Sequence, residues 1–199
     1  MRVVTYNVNR LTPERASQVA VEVVGPSCGI HAAVLTETEL PPAELAAAHL
    51  HFPGYKLYSY ASPEAGKTRV VVLTRADLEV VQLHHLQVPG LPMVWLRFPQ
   101  HRLVLGGLYR QWSSGGDRGL PMERQQLGDF GSAVAAATAE FPADDTCVLG
   151  DLNLDMAKLD DPSYSRRPLL LEWLAHMESA ALSWCPTDPA CPTFQSYGR

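Results

Sequence analysis

The chain has 199 residues, of which 46% are hydrophobic and 19% charged, and its formal net charge is −5. This composition excludes a disordered chain and suffices for one substantial core, so we expect a single domain over residues 1–199. An acidic protein does not hold nucleic acid by overall charge; such contact needs a local arginine cluster, a bound cation or another domain. No signal-like start and no membrane-spanning apolar run occur, which favours an intracellular protein, nuclear or cytoplasmic.

The cysteines favour a chain with reduced thiols. Their spacing matches neither a zinc site nor a redox pair: Cys28, Cys147, Cys185 and Cys191. Cys147 lies in an apolar segment and is expected in the core. Cys185 and Cys191 would pair only in an oxidising compartment.

The first forty residues predict a strand, a helix and a strand. Residues 2–8 are typical of a buried strand. Thr12-Pro13-Glu14 begins a helix, because a capping hydroxyl precedes a proline and an acid. Residues 32–35 form a second buried strand that ends at Thr36-Glu37. This order predicts a right-handed crossover between neighbouring strands of one sheet.

The rest of the chain predicts hairpins followed by two helices. A short helix is expected over residues 41–50, then strands over residues 55–60, 68–74, 78–83, 93–98 and 102–109, separated by turns that imply antiparallel pairing. Residues 113–116 are expected to form a flexible loop. Apolar residues spaced by three and four predict an amphipathic helix over 127–141. A strand that ends at Asp151 follows. The next element is a helix from about Arg167, with four residues expected to face inward: Leu170, Leu171, Leu174 and Met177. The last segment, 191–197, starts like a strand.

Four of the predicted core strands end in side chains suited to phosphate or metal chemistry. These are Asn7 and Asn9, Glu37, Tyr109 and Arg110, and Asp151 and Asn153. If the last strand continues through residue 153, Asp151 and Asn153 point the same way and could orient a water and grip a phosphate oxygen. Each position also has an ordinary explanation, since Asp and Asn build turns, an acid caps a helix, a tyrosine packs and an arginine is solvated. Polar ends of several strands in one sheet converge, which favours a site.

These segments resemble the endonuclease/exonuclease/phosphatase superfamily with the DNase-I-like fold. The matching motifs agree in order and spacing: Thr5-Tyr6-Asn7-Val8-Asn9, Leu35-Thr36-Glu37-Thr38, Gly107-Leu108-Tyr109-Arg110, Gly150-Asp151-Leu152-Asn153 and Pro192-Thr193-Phe194. The resemblance implies an α/β fold, a four-layer sandwich of two mixed β-sheets flanked by helices. Residues 109–112 and 193–199 look most like endonuclease domains linked to retrotransposon reverse transcriptases. That likeness implies DNA as substrate and a downstream reverse-transcriptase domain in a longer polyprotein.

The resemblance also implies a role for each strand-end residue in Mg²⁺- or Mn²⁺-dependent phosphodiester hydrolysis. Glu37 would be the main metal ligand with Asn7 nearby, because oxygen donors suit a hard cation that neutralises the scissile phosphate. Asp151 would position or deprotonate the attacking water, and Tyr109 would add a hydroxyl donor. Phosphate oxygens would be held by Asn153 and Arg110.

Two parts of the family pattern are absent from this sequence. The family follows its Thr-Phe strand with a Ser-x-Ile-Asp-type strand and ends in Ser-Asp-His, whereas no Asp-His pair follows Asp151 here. We therefore expect the last C-terminal strands to be missing, which exposes a sheet edge. Activity should be low or absent, because losing a general acid/base costs about 10²–10⁴ in rate. The seven histidines match no motif and are expected at the surface or in the core: His31, His49, His51, His84, His85, His101 and His176.

Three other interpretations stay open. A phosphatase acting on small phosphorylated molecules or phospholipids would use the same family framework. A catalytically silent binding module would keep the fold without the reaction. An unrelated α/β domain would carry these motifs by coincidence.

Overall fold

The computed structural model describes residues 1–41, 50–60, 66–111 and 120–183. The first sheet of these residues contains β1 (Val3–Asn7), β2 (Ala32–Leu40), β3 (Tyr55–Ser59) and β4 (Thr68–Arg75), in the order β1-β2-β4-β3. β1 and β2 are parallel, and the helix α1 (Pro13–Glu22) lies between them in the chain. β4 runs antiparallel to both of its neighbours. The predicted pairing of the first two strands and the first hairpin are thus confirmed.

The second sheet repeats this plan. It contains β5 (Val81–Gln82), β6 (Met93–Phe98), β7 (Leu103–Tyr109) and β8 (Asp145–Asp151), in the order β5-β6-β7-β8. β7 and β8 are parallel, with α2 (Leu120–Glu140) between them in the chain, and the other pairs are antiparallel. α3 (Arg167–Ser179) follows β8. Each mixed sheet therefore places one parallel pair beside a hairpin.

The layers follow from the alternation of side chains along the strands. In β2, Ala33 and Leu35 pack with the buried face of α1, whereas Ala32 and Val34 join the layer between the sheets. In β7, Leu105 lies in that same layer, whereas Val104 packs toward α2 and α3. The result is helix, sheet, sheet, helices, which confirms the predicted α/β sandwich of two mixed sheets flanked by helices.

Most element boundaries agree with the sequence within a few residues. Thr12 caps α1, where its Oγ1 accepts a hydrogen bond from the Arg15 N–H at 3.3 Å. The strand predicted over 78–83 shortens to β5, and a 3₁₀ turn follows it. The predicted antiparallel pairing of this strand with β4 is wrong, because β5 pairs with β6 in the second sheet. In α3 the predicted inward residues Leu170 and Met177 are buried, whereas Leu171 is 43% exposed and Leu174 is only partly buried. Leu169 and Trp173 are buried instead.

Several predictions fall outside the described residues. These concern the helix over 41–50, the loop over 113–116, the strand-like segment 191–197 and the pairing of Cys185 with Cys191. Cys147 is partly buried beside the inter-sheet layer. Within the ranges given above, no helix is long and apolar enough to cross a membrane.

Candidate active site at the joined ends of the two sheets

Glu37 lies on an irregular segment of β2. Glu37 and Glu39 both have a left-handed backbone with φ of 55°, and the pairing of β2 with β4 shifts between Thr36 and Leu40. Residues other than glycine rarely adopt this conformation, which costs about 1–3 kcal/mol and concentrates at functional sites. The strand predicted to end at Glu37 therefore continues through a bulge that re-aims the glutamate side chains.

Hydrogen bonds from neighbouring segments hold this bulge in place. The Arg10 N–H donates to the Glu37 carbonyl at 2.8 Å, and the Leu11 N–H donates to the Thr38 carbonyl at 2.9 Å. The buried Thr38 hydroxyl donates to the Thr68 carbonyl at 2.6 Å. The chain after β1 and the start of β4 thus fix the backbone of Glu37.

Asp151 is placed by a close approach of β8 to β7. Gly150 has φ of 149°, and a Cβ at this position would lie 1.8 Å from the Leu108 carbonyl oxygen, so only glycine fits. β8 ends at Asp151, whose Oδ1 accepts a hydrogen bond from the Asn153 N–H at 2.8 Å. Asn153 itself has φ of 52°. The prediction that both side chains follow one extended strand is therefore wrong, because residues 151–153 form an Asx turn.

Two contacts join the sheets at this end of the molecule. The Asn7 Nδ2 donates to the Asp151 Oδ2 at 3.2 Å, which links β1 to β8. The Tyr109 hydroxyl lies 3.5 Å from the Glu37 Oε1, which links β7 to β2. Asn153 joins these four residues because its backbone N–H donates to Asp151. The fold thus brings together five of the strand-end residues predicted from the sequence.

Asn9 has a different position from the other strand-end residues. Its side chain is exposed, and its backbone N–H donates to the Asn7 Oδ1 at 3.0 Å. An amide oxygen has two lone pairs, so Asn7 keeps one for another partner. Asn9 therefore orients Asn7 through its backbone.

Tyr109 stays a phenol at neutral pH. Its side chain is nearly buried, and this burial raises its pKa above the ordinary 10.0. The Glu37 carboxylate raises the pKa further, whereas the Arg69 cation lowers it. The hydroxyl therefore keeps its proton and is a hydrogen-bond donor over the physiological range.

Two cations that sequence reasoning missed lie beside Glu39, and one of them, Arg69, is also close to Tyr109. The Arg69 Nη1 and the Lys67 Nζ contact the two carboxylate oxygens of Glu39 at 2.5 Å and 3.1 Å. The Arg69 guanidinium is 5.8 Å from the centre of the Tyr109 ring. Lys67 directly precedes β4 and Arg69 is its second residue, so the two cations flank the start of that strand. They supply positive charge locally in an acidic chain.

Arg110 has a different role from the predicted one. Its side chain is fully buried, with the guanidinium bonded to the Glu123 carboxylate and to the carbonyls of Leu152 and Asn153. A buried guanidinium whose donors point to protein oxygens has no face for a substrate. This burial corrects the expectation that Arg110 clamps a phosphate.

The oxygen donors of the site suit a hard cation, although the described chain holds no dense cluster of metal ligands. In its described ranges, no three His, Cys, Asp or Glu side chains are placed to hold a metal. Asn7 ends β1 and Glu37 lies on the adjacent strand β2, where Asn7 pairs with Thr36, the residue before Glu37. One carboxylate with one amide and several waters is a normal donor set for Mg²⁺.

The sequence profile of the endonuclease/exonuclease/phosphatase family matches residues 4–199. The chain belongs to this family. No match was found among curated protein sequences.

Solved structures with the same fold include several nucleases. An AP endonuclease from Leishmania major has a TM-score of 0.68 at 15% identity, with 86% of this chain and 65% of that one covered. The 3′-5′ exonuclease NExo from Neisseria meningitidis has a TM-score of 0.64 at 18% identity, with 88% of this chain and 71% of that one covered. The endonuclease domain of TRAS1, a telomere-specific non-LTR retrotransposon, has a TM-score of 0.59 at 16% identity, with 88% of this chain and 71% of that one covered. The chain thus spans about two thirds of their length, and the fold is DNase-I-like.

Proposed function

We propose that this protein hydrolyses phosphodiester bonds in DNA with the help of a divalent cation. The observation that carries this proposal is the joining of the two sheets by Asn7 with Asp151 and by Glu37 with Tyr109. An amide, two carboxylates and a phenol within one polar cluster can bind a cation, a water and a phosphate. The family supports phosphoester chemistry.

Asp151 is the proposed base for the attacking water. Its two oxygens accept hydrogen bonds from different directions, the Asn153 N–H at 2.8 Å and the Asn7 amide at 3.2 Å. These donors orient the carboxylate and leave lone pairs for a water. A held carboxylate within hydrogen-bond reach of water is what general-base catalysis requires.

The other site residues would bind and polarise the phosphate. Asn153 donates one amide hydrogen to the Arg110 carbonyl at 2.7 Å, and its side chain is also within hydrogen-bond reach of Tyr109. Its second amide hydrogen would turn to a non-bridging phosphate oxygen when substrate is bound. The Tyr109 hydroxyl would donate to the same group. Glu37 and Asn7 would hold Mg²⁺ or Mn²⁺. When bound, the cation supplies charge neutralisation at the scissile phosphate.

Nicking of supercoiled plasmid DNA tests this proposal. The wild-type chain should nick in Mg²⁺, at the low rate that the sequence predicts, and lose activity in EDTA, and Asp151→Asn should lower the rate further by about 10²–10⁴. Asp155→Asn is the matched control. Asp155 is an exposed carboxylate four residues on, which caps a 3₁₀ turn through the Ala157 N–H at 3.0 Å. Its variant should nick at the wild-type rate.

Other substrates separate the remaining interpretations. A DNA hairpin with a 3′-phosphate and an inositol phosphate should be poorer substrates than the plasmid. Phosphate release from inositol phosphate without nicking would replace the proposal with a small-molecule phosphatase. No turnover of any of the three would leave a silent binding module. Retention of nicking in Asp151→Asn would show that Asp151 is not the base.

A further inference from the structure

Arg110 is bonded to every residue of the Asx turn that carries Asp151. Its backbone N–H donates to the Asp151 carbonyl at 2.9 Å. Its Nε donates to the Leu152 carbonyl at 2.5 Å and its Nη2 to the Asn153 carbonyl at 2.9 Å. The Asn153 side chain returns a hydrogen bond to the Arg110 carbonyl at 2.7 Å. The turn is therefore held from the end of the neighbouring strand.

Glu123 fixes the guanidinium from the other side. This first-turn residue of α2 is fully buried, and its carboxylate pairs with Arg110. The same carboxylate accepts from the Arg166 Nε at 3.3 Å and Nη2 at 3.4 Å, just before α3 begins. Arg110 and Glu123 are both fully buried, yet neither touches the proposed reacting atoms. Buried ion pairs are weak stabilisers, because desolvation offsets the attraction, so stability alone does not account for this pair.

We propose that Arg110 is a positioning residue for Asp151 and Asn153, and that Glu123 and Arg166 set the orientation of its guanidinium. The positioned reaction is the one proposed above, but the structural part can be measured without any activity. A planar guanidinium can serve two carbonyls and a carboxylate at once, whereas a lysine ammonium cannot match this fork. Without it, Asn153 would lose a restraint on its left-handed backbone, and the two carbonyls would lose their donors.

Hydrogen exchange, followed by mass spectrometry on the full chain, tests the positioning directly. In Glu123→Gln, the Asn153 amide should exchange about tenfold faster, because the turn opens locally. Amides of β6 should keep their wild-type rates, which separates local opening from global destabilisation. Arg110→Lys should give the same local change and serves if Glu123→Gln does not fold.

Glu172→Gln is the matched control. Arg124 and Glu172 also join α2 to α3, with Nε and Oε2 2.7 Å apart, but this pair is exposed. Its removal should leave exchange at Asn153 unchanged. Equal exchange of Asn153 in Glu123→Gln, Arg110→Lys and wild type would overturn the proposal. So would equal acceleration in β6 and at Asn153.

Kinetics add a second readout that a structural role alone would not move. Glu123→Gln and Arg110→Lys should lower kcat by roughly 10²-fold at nearly constant KM, as small misplacements of a reacting group do. Arg110→Met should be slower than Arg110→Lys, because the lysine keeps one donor. If the wild-type chain does not turn over DNA, the proposed function fails while the exchange experiment still decides the positioning role. If Glu172→Gln lowered kcat and stability as much as Glu123→Gln does, the positioning role of Arg110 would be contradicted.

Discussion

Glu37 and Glu39 share one backbone conformation but have different partners. Glu39 is held by Lys67 and Arg69, whereas the Glu37 carboxylate lies 3.5 Å from the Tyr109 hydroxyl. The metal-binding role proposed for Glu37 predicts that Mg²⁺ stabilises the folded chain. At about five times the dissociation constant, the stabilisation is about 1 kcal/mol. For a chain of this length the melting temperature should rise by roughly 2–4 °C.

Glu37→Gln should abolish this Mg²⁺-dependent rise in the melting temperature, measured by calorimetry. Glu39→Gln is the control two residues away in the same bulge, and it should keep the rise while losing its ion pairs. A rise of equal size in Glu37→Gln would remove Glu37 from the metal site. Loss of the rise in both variants would assign it to the bulge as a whole.

The residue types of the site were predictable from the sequence, but their partners were not. Asn7, Glu37, Tyr109 and Asp151 follow apolar strands, and the fold joins them. Arg110 is buried with its partner Glu123, which lies thirteen residues later in the first turn of α2. An acid in the first turn of a helix normally has a sufficient explanation in the helix dipole. No local pattern therefore distinguishes a buried Glu123 from an exposed one.

The packing of α2 on α3 is close at Gly131. A Cβ there would lie 2.6 Å from the His176 Cγ, whereas a Cβ at Gly128 would meet nothing within 4 Å. Gly131→Ala should lower the free energy of unfolding by about 1–3 kcal/mol, because the ring or the helix must shift. Gly128→Ala, one turn away, should raise it by about 0.5–1 kcal/mol through helix propensity. Urea unfolding measures both; equal signs for the two variants would contradict this account of the interface.

Element prediction succeeded where periodicity and turn signals coincide. α2 follows the spacing of Leu127, Phe130 and Val134, all fully buried. On the inward face of α3, Trp173 was missed although Leu170, Trp173 and Met177 follow the helical spacing of three and four, so the sequence did carry that signal. In β2, by contrast, tertiary contacts set the outcome, because the bulge depends on hydrogen bonds from residues after β1. Such long-range contacts leave no periodic trace in their own segment.

The residues of the proposed site are shared between the two sheets of the molecule. Asn7 and Glu37 belong to the first sheet, Tyr109 and Asp151 to the second, and the contacts between them measure 3.2 Å and 3.5 Å. The apolar layer between the sheets therefore sets the distance between the two halves. Catalysis should be sensitive to this layer, because reacting groups misplaced by about 1 Å can lose 10²-fold in rate.

Val94 and Val104 provide a matched test of this dependence. Both are fully buried in adjacent strands of the second sheet, but Val94 faces the first sheet and Val104 faces α2 and α3. Each Val→Ala variant should lose about 2 kcal/mol of stability in urea unfolding, for two buried methyl groups and the cavity left behind. Only Val94→Ala should also lower the nicking rate per folded molecule, by about tenfold, since its cavity lets the sheets move relative to each other. Equal nicking rates in the two variants would mean that the inter-sheet layer does not set the geometry of the site.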